Sequence, residues 1–189
     1  MQNIEIVIKK NENKVFPFVW INSDEEEVVI DARLVGEGAR LSIIGIFVGA
    51  DQKHITFNTN IVHEAKNTYS RTTLRGVFKD HSVFSNDGLV RINKGAKGAD
   101  GFFDSKVLLF DDAKGRSVPS LEIDENELKA GHASTVGRPD AEQIFYLRSR
   151  GLSEEEAEKL IVSGFFTPIL KQFSKDKQLQ LSKRIEEML

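Results

Sequence analysis

The chain contains no cysteine, which excludes disulfides, thiolate nucleophiles and thiolate-ligated metal sites built from this chain alone. An excess of basic charge is also missing. The 26 Lys and Arg residues against 29 Asp and Glu leave a formal net charge of −3, whereas a protein that holds nucleic acid by neutralising phosphates needs a basic surface. No apolar run approaches the roughly 20 residues that cross a bilayer, and the opening MQNIEIVIKKNENK lacks the basic-then-apolar plan of a secretory signal. These absences predict a cytoplasmic protein with neither a nucleic-acid nor a membrane partner. What is present is ordinary: 189 residues, 40% hydrophobic and 29% charged, enough for one sizeable core, or a core with a small appended subdomain, and unlike a disordered chain.

From Ile4 to about Ile123 the sequence reads as short β-rich runs: IEIVI (4–8), EVVIDARL (27–34), ARLSIIGIFV (39–48), HITFNTNIV (54–62), TYSRTTLRGVF (68–78), HSVFSNDGLVRIN (81–93) and KVLLF (106–110). Several alternate apolar and polar residues, as half-buried strands do, and Gly, Asn and Asp separate them. GIF at 45–47, GVF at 76–78 and GFF at 101–103 form a loose echo. A recurrence of this kind suits a solenoid whose coils bury their inner faces by stacking. An antiparallel sandwich would also produce many short strands.

Beyond Glu122 the period changes. Pro139 is expected in the first turn of a helix striped by Ala141, Ile144 and Phe145 and ended by Gly151. Ser153 and Glu156 form an S-x-x-E capping box for a second helix, with Leu152 and Ala157 placed as its hydrophobic staple. Ala157, Leu160 and Ile161 are its expected buried face, and Gly164 its C′ residue. A third helix is expected from Thr167-Pro168, and a fourth with Leu181, Ile185, Met188 and Leu189 on one face. This division gives a β core over 1–137 and a helical subdomain over 138–189.

The stretch that joins the halves carries a resemblance. HAST (132–135), IFYLRSRGL (144–152), SEEEAEKLI (153–161) and GF (164–165), in that order, resemble the C-terminal signature of the SufB/SufD family, scaffold subunits of an iron–sulfur cluster assembly complex. Weaker likeness extends through 63–82, 93–123 and 125–132, so it covers roughly two-thirds of the chain. The resemblance implies a right-handed parallel β-helix followed by C-terminal helices. It also implies a non-catalytic scaffold whose C-terminal helices dock a SufC-like ABC-type ATPase, and which pairs with itself or with a longer SufB/SufD-like chain. Family members are typically about twice as long, so this chain looks like a minimal version.

The same resemblance singles out His132, set on a turn. In SufD proteins a cysteine stands two positions before the matching histidine, and in SufB proteins a cysteine on an earlier strand is implicated in holding the nascent cluster. Here Ala130 occupies the first position and no cysteine exists. The expectation is therefore no stably bound cofactor, with His132 as a candidate interface residue that lends a neutral imidazole to a transient iron–sulfur cluster shared with a partner. The plainer account is that His132 caps the final coil or bonds the first helix. For the ATPase contact the candidates are Arg148, Arg150, Phe165, Phe166, Pro168, Ile169 and Leu170. For Arg148 and Arg150 the alternative is simple complementarity to a helix C-terminus, and for the adjacent phenylalanines it is the core.

Other constellations point away from chemistry. His63-Glu64 lacks the second histidine four residues on that a helical zinc site needs, and in a strand the two side chains point to opposite faces; with His54 and His81 it makes no convincing metal site. Gly95, Gly98 and Gly101 precede Phe102-Phe103, where a P-loop would require Lys-Ser or Lys-Thr, so any ATP hydrolysis belongs to another subunit. Asp111-Asp112 in DDAKGR reads as a solvated turn. Two rival functions remain: a binding or structural β-helix module that has lost cluster work, and a carbohydrate-active β-helix enzyme.

Overall fold

Alternation decides the strands. In β5 (His54–His63) every second side chain, Ile55, Phe57, Thr59, Ile61 and His63, is buried and those between are not; the pleat sends successive residues to opposite faces. The computed structural model describes residues 1–24 and 26–188. Around β5 run β1 (Gln2–Ile8), β2 (Asn13–Ile21), β3 (Glu26–Leu34), β4 (Arg40–Gly49), β6 (Tyr69–Phe78), β7 (Val83–Ile92), β8 (Asp100–Leu109), β9 (Lys114–Ile123) and β10 (Lys129–Gly137). Three helices follow: α1 (Ala141–Ser149), α2 (Glu154–Leu170) and α3 (Lys175–Glu186).

The strands form two sheets, ordered β1-β3-β5-β7-β9 and β10-β8-β6-β4-β2, and every adjacent pair is parallel. Each coil therefore contributes one strand to an odd sheet and one to an even sheet. Neighbours are offset by 26 residues at the first coil, where Gln2 lies beside Val28, and by 31 later, where Val83 lies beside Lys114. This is the stacked-coil solenoid with a helical tail that the sequence predicts; the sandwich is set aside by the parallel ladders.

The turns stack as regularly as the strands. On one edge Asn11, Gly38, Asn67 and Gly98 all take positive φ, at 56°, 72°, 56° and 75°. Their N–H groups donate to Glu37, Lys66, Lys97 and Glu127 carbonyls of the next coil. Asn and Gly must alternate here: a Cβ on Gly38 would lie 2.4 Å from Asn11 Oδ1, and one on Gly98 2.4 Å from Asn67 Oδ1. On the other edge Asn22, Asp51, Asp80 and Asp111 adopt the same left-handed conformation, which Asn and Asp tolerate. Asp51 N–H donates to Asp80 Oδ2 at 2.8 Å and Asp80 N–H to Asp111 Oδ2 at 3.1 Å. Asp111-Asp112 is thus a turn, as expected.

Between the sheets lies a core of aliphatic side chains around an aromatic column. Phe18, Phe57, Phe47, Phe84, Phe78 and Trp20 touch in sequence at centroid distances of 4.8 to 6.2 Å. The Gly-x-Phe echo does not superpose: Phe47 lies beside Gly76, and Gly49 beside Phe78. The second triplet is displaced from the first by two residues and the third from the second by six, with Gly101 beside Ser70, so the inward side of each ring is preserved but not the coil register.

A second cluster sits outside the solenoid. Ile44, Ile46, Val48 and Val77 on the outer face of the even sheet meet Val162, Phe166, Ile169 and Leu170 of α2 and Leu181 and Ile185 of α3. The helical expectations need correction here. One helix spans the expected second and third, with Gly164 and Pro168 both inside it. Pro168 removes one main-chain bond at a cost of about 3 kcal/mol, and burial of Phe166, Ile169 and Leu170 around it offsets that cost at roughly 1.5–3 kcal/mol per side chain. Pro139 precedes the N-cap Asp140, whose side chain accepts from Glu142 N–H at 2.9 Å. Phe145 and Leu160, expected to be buried, are exposed. The Ser153–Glu156 capping box forms as predicted, and Gly151 ends α1 with φ 99°. Leu181, Ile185 and Met188 face the cluster; Leu189 lies outside the described residues.

Candidate functional site

The last coil leaves an open end, and which of its edges is reactive follows from main-chain geometry. In a parallel sheet successive residues address alternate neighbours. Lys114 N–H donates to Ser82 O and Asp124 N–H to Ile92 O, so even-numbered residues of β9 face β7 and odd-numbered ones face outward. Pro119 is odd: its missing N–H falls on the free edge, where it costs the fold nothing and denies a donor to any incoming strand. Pro17 guards β2 at the opposite end in the same way, because Glu12 O and Asn22 N–H bond to β4. β10 has no such guard. Lys129 N–H donates to Ala99 O, which leaves the main-chain groups of Ala130, His132, Ser134 and Val136 on an unpaired edge.

His132 therefore lies in a strand and not in a turn, a correction to the sequence reading. It is exposed and stands in register with Phe103. Among the described residues its ring makes no hydrogen bond, so it neither caps the coil nor bonds the first helix. Beside it Ser134 Oγ donates to Ser117 O at 3.2 Å, and Ser117 Oγ donates to Asn86 Oδ1 at 3.2 Å. Asn86 is fully buried. Polar side chains thus lead from the solenoid interior to the edge that carries His132.

The other histidines behave differently. His63 is completely buried, with Nδ1 2.8 Å from Thr68 Oγ1 and Nε2 2.8 Å from Ser70 Oγ. Thr68 Oγ1 already donates to Ala65 O, so it must accept from Nδ1–H, which makes Nε2 the acceptor of the Ser70 proton. Burial pushes the imidazole pKa down to about 4, against an opposing pull from Asp100. The Ser70–His63 arrangement has the connectivity of a nucleophile and its base, but both side chains are sealed in the core, where no substrate reaches them. Glu64 points the other way, to Arg33 at 2.6 Å, as adjacent strand residues must. His81 lies on the surface, 3.8 Å from Asp112. Among the described residues no group of three or more His, Asp or Glu side chains converges to hold a metal.

The expected docking residues divide. Phe166, Ile169 and Leu170 are core, packed on the even sheet. Phe165 is half-buried and meets Phe166 edge-on. Arg148 is exposed and pairs with Glu154 at 3.1 Å; Arg150 lies over the Tyr146 ring and bonds its hydroxyl at 3.2 Å; Pro168 is exposed. The exposed apolar surface of the helices lies elsewhere, on Phe145 (75% exposed), Tyr146 (55%) and Leu160 (51%), with Leu179 (75%) on α3. No residue of α1 is fully buried, and only Ile144 and Leu147 are half-buried. Its run Ile144-Phe145-Tyr146-Leu147 signalled as much, since four consecutive apolar residues encircle a helix and cannot all face one core. No helix among the described residues is long and apolar enough to cross a membrane.

Fold and site together define a parallel β-solenoid protein with one guarded and one unguarded edge at its open C-terminal end and a helical appendage that presents apolar surface. Residues 19–165 match the family described as SUF system FeS cluster assembly, SufBD core domain, and the chain belongs to that family. It is 37% identical over 138 residues to the iron–sulfur cluster assembly protein SufD of Bacillus subtilis, covering 72% of this chain and 32% of that one. To the iron–sulfur cluster assembly SufBD family proteins Rv1462 and Rv1461 of Mycobacterium tuberculosis it is 34% and 32% identical, covering 80% and 81% of this chain but 41% and 18% of theirs. The chain thus spans well under half the length of these relatives.

Proposed function

We propose that the chain is a non-catalytic scaffold subunit of SUF-type iron–sulfur cluster assembly. It pairs through the β10 edge with a second copy or with a longer SufBD-family chain, and docks a SufC-like ABC-type ATPase through its C-terminal helices. The observation that carries this reading is the unguarded edge of β10, beside a proline-guarded β9 and bearing the exposed His132. Strand addition supplies main-chain hydrogen bonds without demanding particular side chains, and it would bring His132 against a partner that supplies the thiolates this chain lacks. A transient cluster between the subunits is then cargo, and closure of the ATPase pair would move the scaffold subunits against each other.

Ser134→Pro tests the pairing. Its N–H faces the free edge, so the variant should keep the monomer fold while removing a donor from the interface, just as Pro119 does on β9. Light scattering and co-purification with a longer SufBD chain should show loss of the complex with an unchanged circular dichroism spectrum; full retention of the complex would refute pairing at this edge. Co-purification with the ABC-type ATPase of the same genome tests the second contact, and its absence under conditions where related scaffolds bind would refute docking. The complete absence of cysteine favours a second reading, a structural module without cluster work. Stoichiometric ATPase binding together with normal iron-dependent growth of a His132→Ala strain would select it.

A further inference from the structure

Gly164 has no role that the isolated chain explains. It sits inside the 17-residue α2, where glycine weakens a helix relative to alanine. Its φ is not in the left-handed region, and a Cβ built on it meets nothing within 4 Å. Pro168 does not require it either: Pro168 lacks the N–H that would close on the Gly164 carbonyl, but an alanine offers the same carbonyl on the same backbone. What Gly164 does is floor a groove of about 490 Å³ between α1 and α2. The walls are apolar, from Tyr146, Leu147, Leu160 and Ile161, and Asp140 and Glu142 stand at the rim.

Each property of the groove specifies its occupant. Bare backbone at the floor permits an element to approach more closely than side chains would allow, and the axial separation of packed helices is set by the residues at their contact. Apolar walls formed by two helices suit the apolar face of a third. The Glu142 carboxylate, and that of Asp140, which also caps α1, call for cationic groups on the occupant. We propose that this groove seats a partner helix whose apolar face is flanked by Lys or Arg, and that Gly164 is the residue that sets how closely the helix approaches. The identity of that partner as the ATPase rests on the function proposed above; the groove and its chemistry do not.

The test compares the full-length chain with Gly164→Met, Gly164→Ala and Glu142→Lys by titration with the ABC-type ATPase, alongside thermal unfolding of each free variant. Gly164→Met is expected to weaken binding at least tenfold, Gly164→Ala several-fold, and Glu142→Lys several-fold with a reduced salt dependence, while neither Gly164 variant lowers the unfolding midpoint. Unchanged affinity in Gly164→Met and Glu142→Lys would overturn the groove and leave ATPase docking standing. Should the wild type not bind the ATPase at all, a helical Leu- and Lys-rich peptide replaces it as probe. Binding lost in Gly164→Met then supports the groove, and no binding overturns it. A lowered midpoint in Gly164→Ala would give the glycine a role in the fold of α2 itself, and self-association abolished by Gly164→Met would seat a second copy there; either result overturns the proposal.

Discussion

The solenoid and the helical tail are stabilised in different ways, although one joins the other at a three-residue link. In the solenoid, main-chain ladders run through five coils, the turns stack by their own hydrogen bonds, and a connected aromatic cluster from β2 to β7 fills much of the centre. The tail rests on one stripe, where α2 and α3 cover part of the even sheet, and α1 contributes no buried side chain. A region satisfied within itself leaves little for a partner beyond its open ends. A region with unburied Phe145, Tyr146 and Leu160 has its partner surface still to cover.

The contrast can be broken most severely from the solenoid side. Phe47 touches Phe18, Phe57 and Phe84, so Phe47→Ala should cost about 3–5 kcal/mol, read as a shift of the urea unfolding midpoint, with both regions lost together because α2 packs on strands of the same coils. An unfolding midpoint within 1 M urea of the wild type would show that the column is not the central support.

Acid should act next, and again on the solenoid. His63 is neutral in the fold with a pKa lowered from 6.5 to about 4. Between those values the unfolded chain takes up a proton that the folded chain refuses, so the stability is complete above about pH 6.5 and is lost as pH falls towards 4. The full effect is about 3 kcal/mol. Unfolding midpoints measured at pH 7 and 4.5 should fall steeply for the wild type and less for His63→Gln; equal slopes would assign the acid sensitivity to carboxylates.

Much of this division was legible in the sequence and some was not, for identifiable reasons. The alternation in HITFNTNIV is strong because that strand is buried on one face only, and SRTTLRGVF alternates as cleanly until Gly76-Val77-Phe78, where α2 covers the outer face too. β2 lacks clean alternation, since NKVFPFVWI lies at an end of the stack and carries its proline on the free edge. KAGHASTVG was equally opaque as β10: most of its residues are exposed, and neighbours in space, not its own pattern, make it a strand. Gly164 and Pro168 carry breaker propensities that packing against the even sheet overrode, which turned two expected helices into one. The stripe carrying Phe145 and the apolar face carrying Leu160 look like core in the sequence because periodicity identifies an apolar face without saying what covers it.

Smaller changes sharpen the comparison from the helical side. Ser153 accepts Glu156 N–H while Glu156 accepts Ser153 N–H at 2.7 Å, so Ser153→Ala should cost about 1 kcal/mol. Amide exchange should show that loss in α2 while β4 to β7 keep their protection; equal loss in the strands would mean that tail and solenoid unfold as one unit. Gly164→Ala should move stability the other way, a gain of about 0.5–1 kcal/mol seen as a higher midpoint in thermal denaturation.

The most direct test of the edge assignment is amide hydrogen exchange along β10, alone and with a longer SufBD-family chain. Alone, Lys129, Gly131, Ala133 and Thr135 should exchange slowly and Ala130, His132, Ser134 and Val136 fast. In the complex all eight should be slow. Persistence of the fast set in a complex that demonstrably forms, with new protection appearing at Asn3, Glu5 and Val7 of β1 instead, would place the partner at the wrong end of the solenoid for this account.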